Sequence, residues 1–547
     1  MSNLKGRVVA VVVAAAALAT GLSSTMAAEA KPLDQNAGPA RTRSYVPPPV
    51  AWGDCASSSL RAAGAKCGLM TVPLDYSQPR GTKVKIALSW IKHKPTVPGQ
   101  GLMLVNPGGP GGSGLTLSRL GAYIPKGAGD AYDWIGFDPR GVGSSQPTLS
   151  CDGDYFGYDR PDYVATTPEL ENAWLTKSAG YASKCDTAGG ALLDHTRTVD
   201  WVKDMDAIRA LFKARQINFY GFSYGTYLGQ AYASTYPSRV RRMVWDGVVD
   251  WTKVWYQANL DQDVAFDGNL DRYFTWLASH NATYQLGATR DAVKQKWLDQ
   301  LAASRTAPLG GKLGPDEWTD AFVSAGYYVY GWADLADSFV AAVGGDYDPM
   351  IAEYDSANGA GPGSDNTFAV YNAVQCTDAP FPADWSTWKA DTERVAATSP
   401  FLTWSNTWYN APCLTWGAPP AATKPVIKGG DAPSVLMVGE TYDAATPFSG
   451  ALQARATFPR SRLIEGVGGT THSGSLSGVD CVDLRIADYL LTGKLDARKA
   501  GSVSDVKCGA VPPPAPNTSM LARGASRPAD RLPADLRSAL DVLTGRR

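Results

Sequence analysis

The sequence predicts an α/β fold, a mainly parallel sheet with helices on both faces and a large helical lid inserted late. Three observations predict it. Gly221-Phe222-Ser223-Tyr224-Gly225 lies between an apolar run (217–220) and a helix-compatible stretch (226–236). Strand and helix patterns alternate from about residue 70 to 250, which implies parallel strands joined by crossover helices. That rhythm stops over about 250–425, where Trp, Tyr, Asp and Ala recur at helical spacing, and then resumes.

The elements follow in order. Val84, Ile86, Leu88 and Trp90 alternate with polar or small residues, as on a half-buried strand. Leu102–Val105 is a buried-strand run entering the glycine-rich loop Asn106–Gly114. Trp134–Phe137 is a further run, leading into Asp138-Pro139-Arg140-Gly141. Val199, Val202, Met205, Ile208 and Leu211 share a helical face before strand 217–220, and Arg242–Trp245 is the next strand. After the inserted helices, broken at 308–315 and 359–364, strands return at Val435–Val438 and Leu463–Val467.

Outside this core, Lys5 and Arg7 precede the apolar stretch Val8–Ala19 and the small-residue site Ala28-Glu29-Ala30. That reads as a secretory signal over 1–30, too short to span a bilayer. No Cys lies near the site for lipid attachment. Residues 31–50 read as an extended leader or propeptide. The core then occupies 51–250 and 426–508, the lid 251–425, and a Pro-rich tail 509–547 with a helix-like stretch from Ala534. The mature chain is expected to be soluble and exported.

Eight cysteines in an exported chain imply disulfides. Sequential pairing is the simplest expectation: Cys55–Cys67, Cys151–Cys185, Cys376–Cys413 and Cys481–Cys508. No C-x-x-C and no spaced histidines suggest a metal. A net charge of −1 over 547 residues argues against nucleic acid, and the glycine-rich loop lacks the G-K-[S/T] ending of a phosphate cradle. No cofactor is expected. The 17 Trp and 25 Tyr fit core packing first and an aromatic-lined cleft second.

A serine at the apex of a strand–turn–helix is a nucleophile elbow. Its hydroxyl needs a base, and the base an orienting acid. In an elbow fold these follow the serine in the order acid, then histidine. Of four histidines, His93 and His195 precede Ser223 and His280 lies in the lid, which leaves His472 in the loop after the last strand read here. Asp443 is the preferred acid over Glu440, both following the 435–438 strand, and Asp246 is a further alternative. The oxyanion donors are expected from Tyr224 N–H and from Gly109 or Gly111, because Pro110 has no N–H.

Asn106–Gly114, Gly136–Gly143, Gly221–Gly225, Gly439–Pro447 and the Cys481–Cys508 region together resemble the α/β-hydrolase superfamily, and within it the secreted tripeptidyl aminopeptidases, related to proline iminopeptidases. The resemblance runs from about Trp52 to Cys508. It implies an acyl-enzyme peptidase acting on peptides with a free N-terminus, whose amine is held by lid carboxylates. The candidates are Asp261, Asp263, Asp334, Asp337 and Asp378. An esterase or amidase acting on small acyl compounds is the alternative. Thr471 and Ser473 flank His472 where such relatives have Gly.

Overall fold

A computed structural model describes residues 45–422, 424–517 and 532–540. The signal segment 1–30 and most of the 31–50 leader lie outside these residues. Tyr45 and Val50, at the end of that leader, pack on the core, with Tyr45 edge-on to Tyr76.

Among the described residues, ten strands form one sheet: β1 (Gly53–Asp54), β2 (Lys66–Pro73), β3 (Lys83–Ile91), β4 (Leu102–Asn106), β5 (Asp133–Asp138), β6 (Ile217–Phe222), β7 (Val240–Asp246), β8 (Val435–Glu440), β9 (Ser461–Val467) and β10 (Val506–Gly509). Their order is β1-β2-β3-β5-β4-β6-β7-β8-β9-β10. The pairs from β5 through β10 are parallel, and β1, β2 and β3 add an antiparallel edge. β4, β6 and β8 are buried along their whole length, which is why they read as unbroken apolar runs.

Side chains alternate between two cores, as the period of two in a strand requires. Leu104, Phe219, Met243 and Met437 face the helices Thr198–Leu211, Tyr224–Thr235 and Phe448–Thr457. Met103, Val105, Tyr220, Val244 and Leu436 face the opposite layer, built from 115–123, the helix Asp480–Thr492 and the short helix Ala534–Leu540.

Between β7 and β8 the chain forms helices with their own core of Phe266, Tyr273, Trp318, Phe322 and Phe339. The sequence reading passed over the helix Pro168–Gly189. It stacks Trp174 on Trp408 at 5.6 Å and so joins the inserted helices rather than the sheet. Arg160, from the segment before it, is buried against Glu317 and Asp320.

All four disulfides form as sequential pairs. Such a set belongs to a protein folded in an oxidising compartment. No described helix is long and apolar enough to cross a membrane.

Candidate active site

Ser223 follows the last residue of β6 and begins the helix Tyr224–Thr235 with φ 53° and ψ −126°. That strained, left-handed backbone is what a tight strand-to-helix reversal requires. Its N–H is held by Asp246 O at 2.9 Å. The flanking glycines permit the reversal. A Cβ on Gly221 would lie 2.6 Å from Gly225 O, and one on Gly225 would lie 2.7 Å from Asn106 O.

The glycine-rich loop after β4 meets the same turn. Gly108, at φ +102°, lies so close that a Cβ there would sit 2.6 Å from Phe222 O and 3.0 Å from Tyr224 N. Asp138, at the end of β5, organises this loop by accepting from Ser113 Oγ at 2.6 Å and from Gly114 N–H at 3.0 Å. Burial pushes its carboxyl up to about 6 despite these donors.

His472 sits in the loop after β9. Its Nδ1 lies 2.9 Å from both Asp443 oxygens, and its N–H donates to Tyr327 O at 2.8 Å. Thr446 completes the acid's environment, donating its N–H at 2.9 Å and its hydroxyl at 2.8 Å to Asp443. The sequence reading missed this residue; the Asp-x-x-Thr spacing before the helix at 448 was its signal. His472 Nε2 is buried and makes no hydrogen bond. The ring packs against Gly247, one residue after the Asp246 that anchors Ser223 N–H.

The two other acids considered from the sequence bond elsewhere. Asp246 accepts from Ser475 N–H at 2.7 Å, and burial pushes it up to about 6. Glu440 accepts from Thr471 N–H at 2.6 Å and Val511 N–H at 2.7 Å, and burial pushes it up to about 8. The residues beside His472 also have defined work. Thr471 Oγ1 accepts from Val329 N–H, and Ser473 takes a left-handed φ of 55°.

Residues 101–467 match the family model described as alpha/beta hydrolase fold. The chain belongs to the α/β-hydrolase family. It is 40% identical over 481 residues to a tripeptidyl aminopeptidase of Streptomyces lividans, covering 85% of this chain and 88% of that relative. It is 30% identical over 477 residues to a serine protease of Mycobacterium tuberculosis, covering 81% and 89%. A protein of the same organism named carboxylesterase B is 30% identical over 478 residues, covering 82% and 89%. This α/β hydrolase is a serine peptidase of the tripeptidyl aminopeptidase group.

The hydrolase's lid covers a cavity whose wall includes Ser223, Tyr224 and Gly109. Gly111 is not in its wall. It lies against the Thr367 backbone, where a Cβ would come within 2.6 Å of Thr367 O. Of the two candidate glycines, Gly109 lines the cavity and Gly111 does not. Trp255, Tyr327, Tyr371 and Tyr409 supply aromatic wall, and Asn259, Gln262, Gln375 and Asn406 supply amides. No sequence pattern had marked these amides, because they come from three separate helices.

Of the five lid carboxylates, only Asp261 faces the cavity, paired with Lys253. Asp263 is buried just behind it. It accepts from Asn406 Nδ2 at 2.8 Å, and burial holds it well above the usual carboxylate range. The other three are not in the cavity wall. Asp334 and Asp337 bind Asn517 Nδ2 at 3.1 and 2.9 Å, because the helix Trp332–Val343 turns them toward the C-terminal segment. Asp378 accepts from Thr198 N–H at 2.7 Å, beneath Tyr224.

Proposed function

We propose that this peptidase is an exported aminopeptidase that releases tripeptides or other short peptides from free N-termini through an acyl-enzyme. Ser223 Oγ attacks the scissile carbonyl carbon while His472 Nε2 takes its proton, and Asp443 orients the ring and balances the imidazolium. The oxyanion forms against the N–H groups of Tyr224 and Gly109. His472 then protonates the leaving amine, and water releases the acyl product by the same route in reverse. The observation that carries this reading is the buried Asp443–His472 pair, with Nε2 left unbonded and the ring against Gly247, the residue after the Asp246 that holds Ser223 N–H.

The free N-terminal amine would be held by Asp261 in the cavity, with Asp263 reached through Asn406. Asp334, Asp337 and Asp378 are not in the cavity wall, which speaks against that role; Asp378 touches the wall only from behind, accepting from Trp255 Nε1 at 3.4 Å. The four disulfides and the sequence of the first thirty residues support export.

The test is chromophore release from tripeptide anilides with free and N-acetylated termini, by wild type and Ser223→Ala. Hydrolysis of the free form alone, lost in the variant, supports the reading. Equal hydrolysis of both forms, or of short-chain esters only, would favour the esterase reading that the relative named carboxylesterase B keeps in play.

A further inference from the structure

The lid helix Tyr256–Ser279 passes the loops that carry Asp443 and His472. Asn269 on this helix is fully buried. Its Nδ2 donates to three backbone carbonyls: Tyr442 O at 2.9 Å, Gly326 O at 3.0 Å and Thr470 O at 3.4 Å. Each carbonyl belongs to a different segment. Tyr442 immediately precedes Asp443. Thr470 lies two residues before His472. Gly326 precedes Tyr327, whose carbonyl accepts the His472 N–H.

The surroundings hold this amide in place. Arg272 Nη1 reaches Asn269 Oδ1 at 3.4 Å, while its guanidinium lies 3.7 Å from the centre of the Tyr442 ring. Phe266, one turn earlier on the helix, packs edge-on to Tyr327 at 4.7 Å, and a Cβ on Gly326 would come within 2.3 Å of the Phe266 ring. The lid segment 326–327 is therefore seated on the same helix face that reaches the two loops.

A carboxamide has two N–H protons in one plane, so the carbonyls that share them have their relative positions set by one rigid group. A buried carbonyl that loses its donor pays a desolvation cost, which favours the arrangement in which all three converge.

We propose that Asn269 is a positioning residue: it holds the Asp443 loop, the His472 loop and the lid segment Gly326–Tyr327 in one register, so that seating the lid and aligning the acid with the base are one event. This rests on the roles proposed above for Ser223, His472 and Asp443. Asn269 lies outside the cavity wall, so it acts through the loops and not on the substrate.

Asn269→Ala and Asn269→Asp test this. The first removes the donor; the second sets an acceptor against three carbonyls. Sub-ångström to ångström misplacement of reacting groups costs up to about 100-fold in rate. The expected result is a kcat for the free tripeptide anilide lowered about 10-fold in Asn269→Ala and about 100-fold in Asn269→Asp, with KM nearly unchanged. Labelling of Ser223 by a fluorophosphonate should slow in the same proportion, a readout independent of peptide binding. Folded variants with unchanged kcat and labelling, or with KM raised and kcat intact, would overturn the proposal. So would failure of both variants to fold, because the amide would then serve the fold and not the site. Ser223→Ala, run alongside, separates the two levels: if it stays active the assigned nucleophile is wrong, whereas if it is dead and the Asn269 variants are normal only this inference fails.

Discussion

Glu440 holds the backbone of Thr471, the residue before His472, with its Oε2 accepting the Thr471 N–H at 2.6 Å. Its other oxygen accepts Val511 N–H at 2.7 Å, so one carboxyl ties the histidine loop to the C-terminal segment. Both contacts call for an acceptor, yet burial pushes the group from its ordinary 4.5 up to about 8.

The pH dependence of stability follows from that shift. A carboxyl whose pKa is raised on folding keeps its proton in the native state after the unfolded chain has lost it. Stability therefore falls as pH rises from 4.5 to about 8 and levels off above. Glu440→Gln removes this contribution, while adding a pH-independent loss because its NH2 opposes a backbone donor. Thermal melts at about pH 5 and pH 8 should show the wild type losing more stability than the variant, by on the order of a few kcal/mol. An identical fall in both proteins would refute this.

Substituting the two aspartates near His472 distinguishes them. Asp443→Asn should lower kcat by about 10⁴-fold, because the amide no longer enforces the required imidazole tautomer. Asp246→Asn keeps an oxygen for Ser475 N–H and should cost at least about 100-fold less than Asp443→Asn. Steady-state kinetics on the unblocked tripeptide anilide measures both. A reversed order would make Asp246 the acid.

Gly225→Ala would drive a methyl to within 2.7 Å of Asn106 O and 2.9 Å of Asn106 Oδ1. Overpacking of this kind costs about 1–3 kcal/mol, and here it also tilts the turn that presents Ser223. The expected outcome is a lower melting temperature together with a reduced kcat. A fully active variant would show that the strand–helix contact can relax.

Arg140, from the Asp-Pro-Arg-Gly stretch, is buried and binds Asp204 through Nε at 2.8 Å and Nη2 at 2.7 Å, as well as the carbonyls of Pro73, Leu74 and His195. Arg140→Met leaves the buried Asp204 carboxylate without its cation, with the Tyr76 hydroxyl still donating to it at 2.8 Å, and breaking such a pair by removing one partner costs about 3–5 kcal/mol. Urea denaturation should show a matching loss. The double variant Arg140→Met/Asp204→Leu should recover part of it, and failure to recover would assign the loss to the carbonyl contacts instead.

Much of this was legible in the chain because the signals are local. The apolar runs at 102–105 and 217–220 are strands buried on both faces, and the sheet buries them so. Gly221 and Gly225 announced a turn in which backbone passes backbone. Nearest-neighbour cysteine pairing succeeded because each pair closes a loop of 12 to 37 residues within one region of the fold. The helix Pro168–Gly189 escaped notice. Its apolar residues are too few for a strong stripe, and the inserted helices that complete its aromatic packing, through Phe368 and Trp408, lie far along the chain.

The sequence by itself determined the class of chemistry: a serine at an elbow, a histidine available after it, acids at the end of β8 and just beyond it, and a glycine-rich loop to meet the turn. Tertiary structure alone decided which groups meet. It set Asp443, not Glu440 or Asp246, against His472, put Gly109 and not Gly111 in the cavity, and left Asp261 as the one cavity-facing acid among the five considered. Hydrogen bonds reach about 3 Å, whereas the segments that bring these partners together are far apart in the chain: Asn269 and Tyr442 are 173 residues apart. Periodicity reports which face of an element is apolar. It carries no record of which distant carbonyl that face will meet.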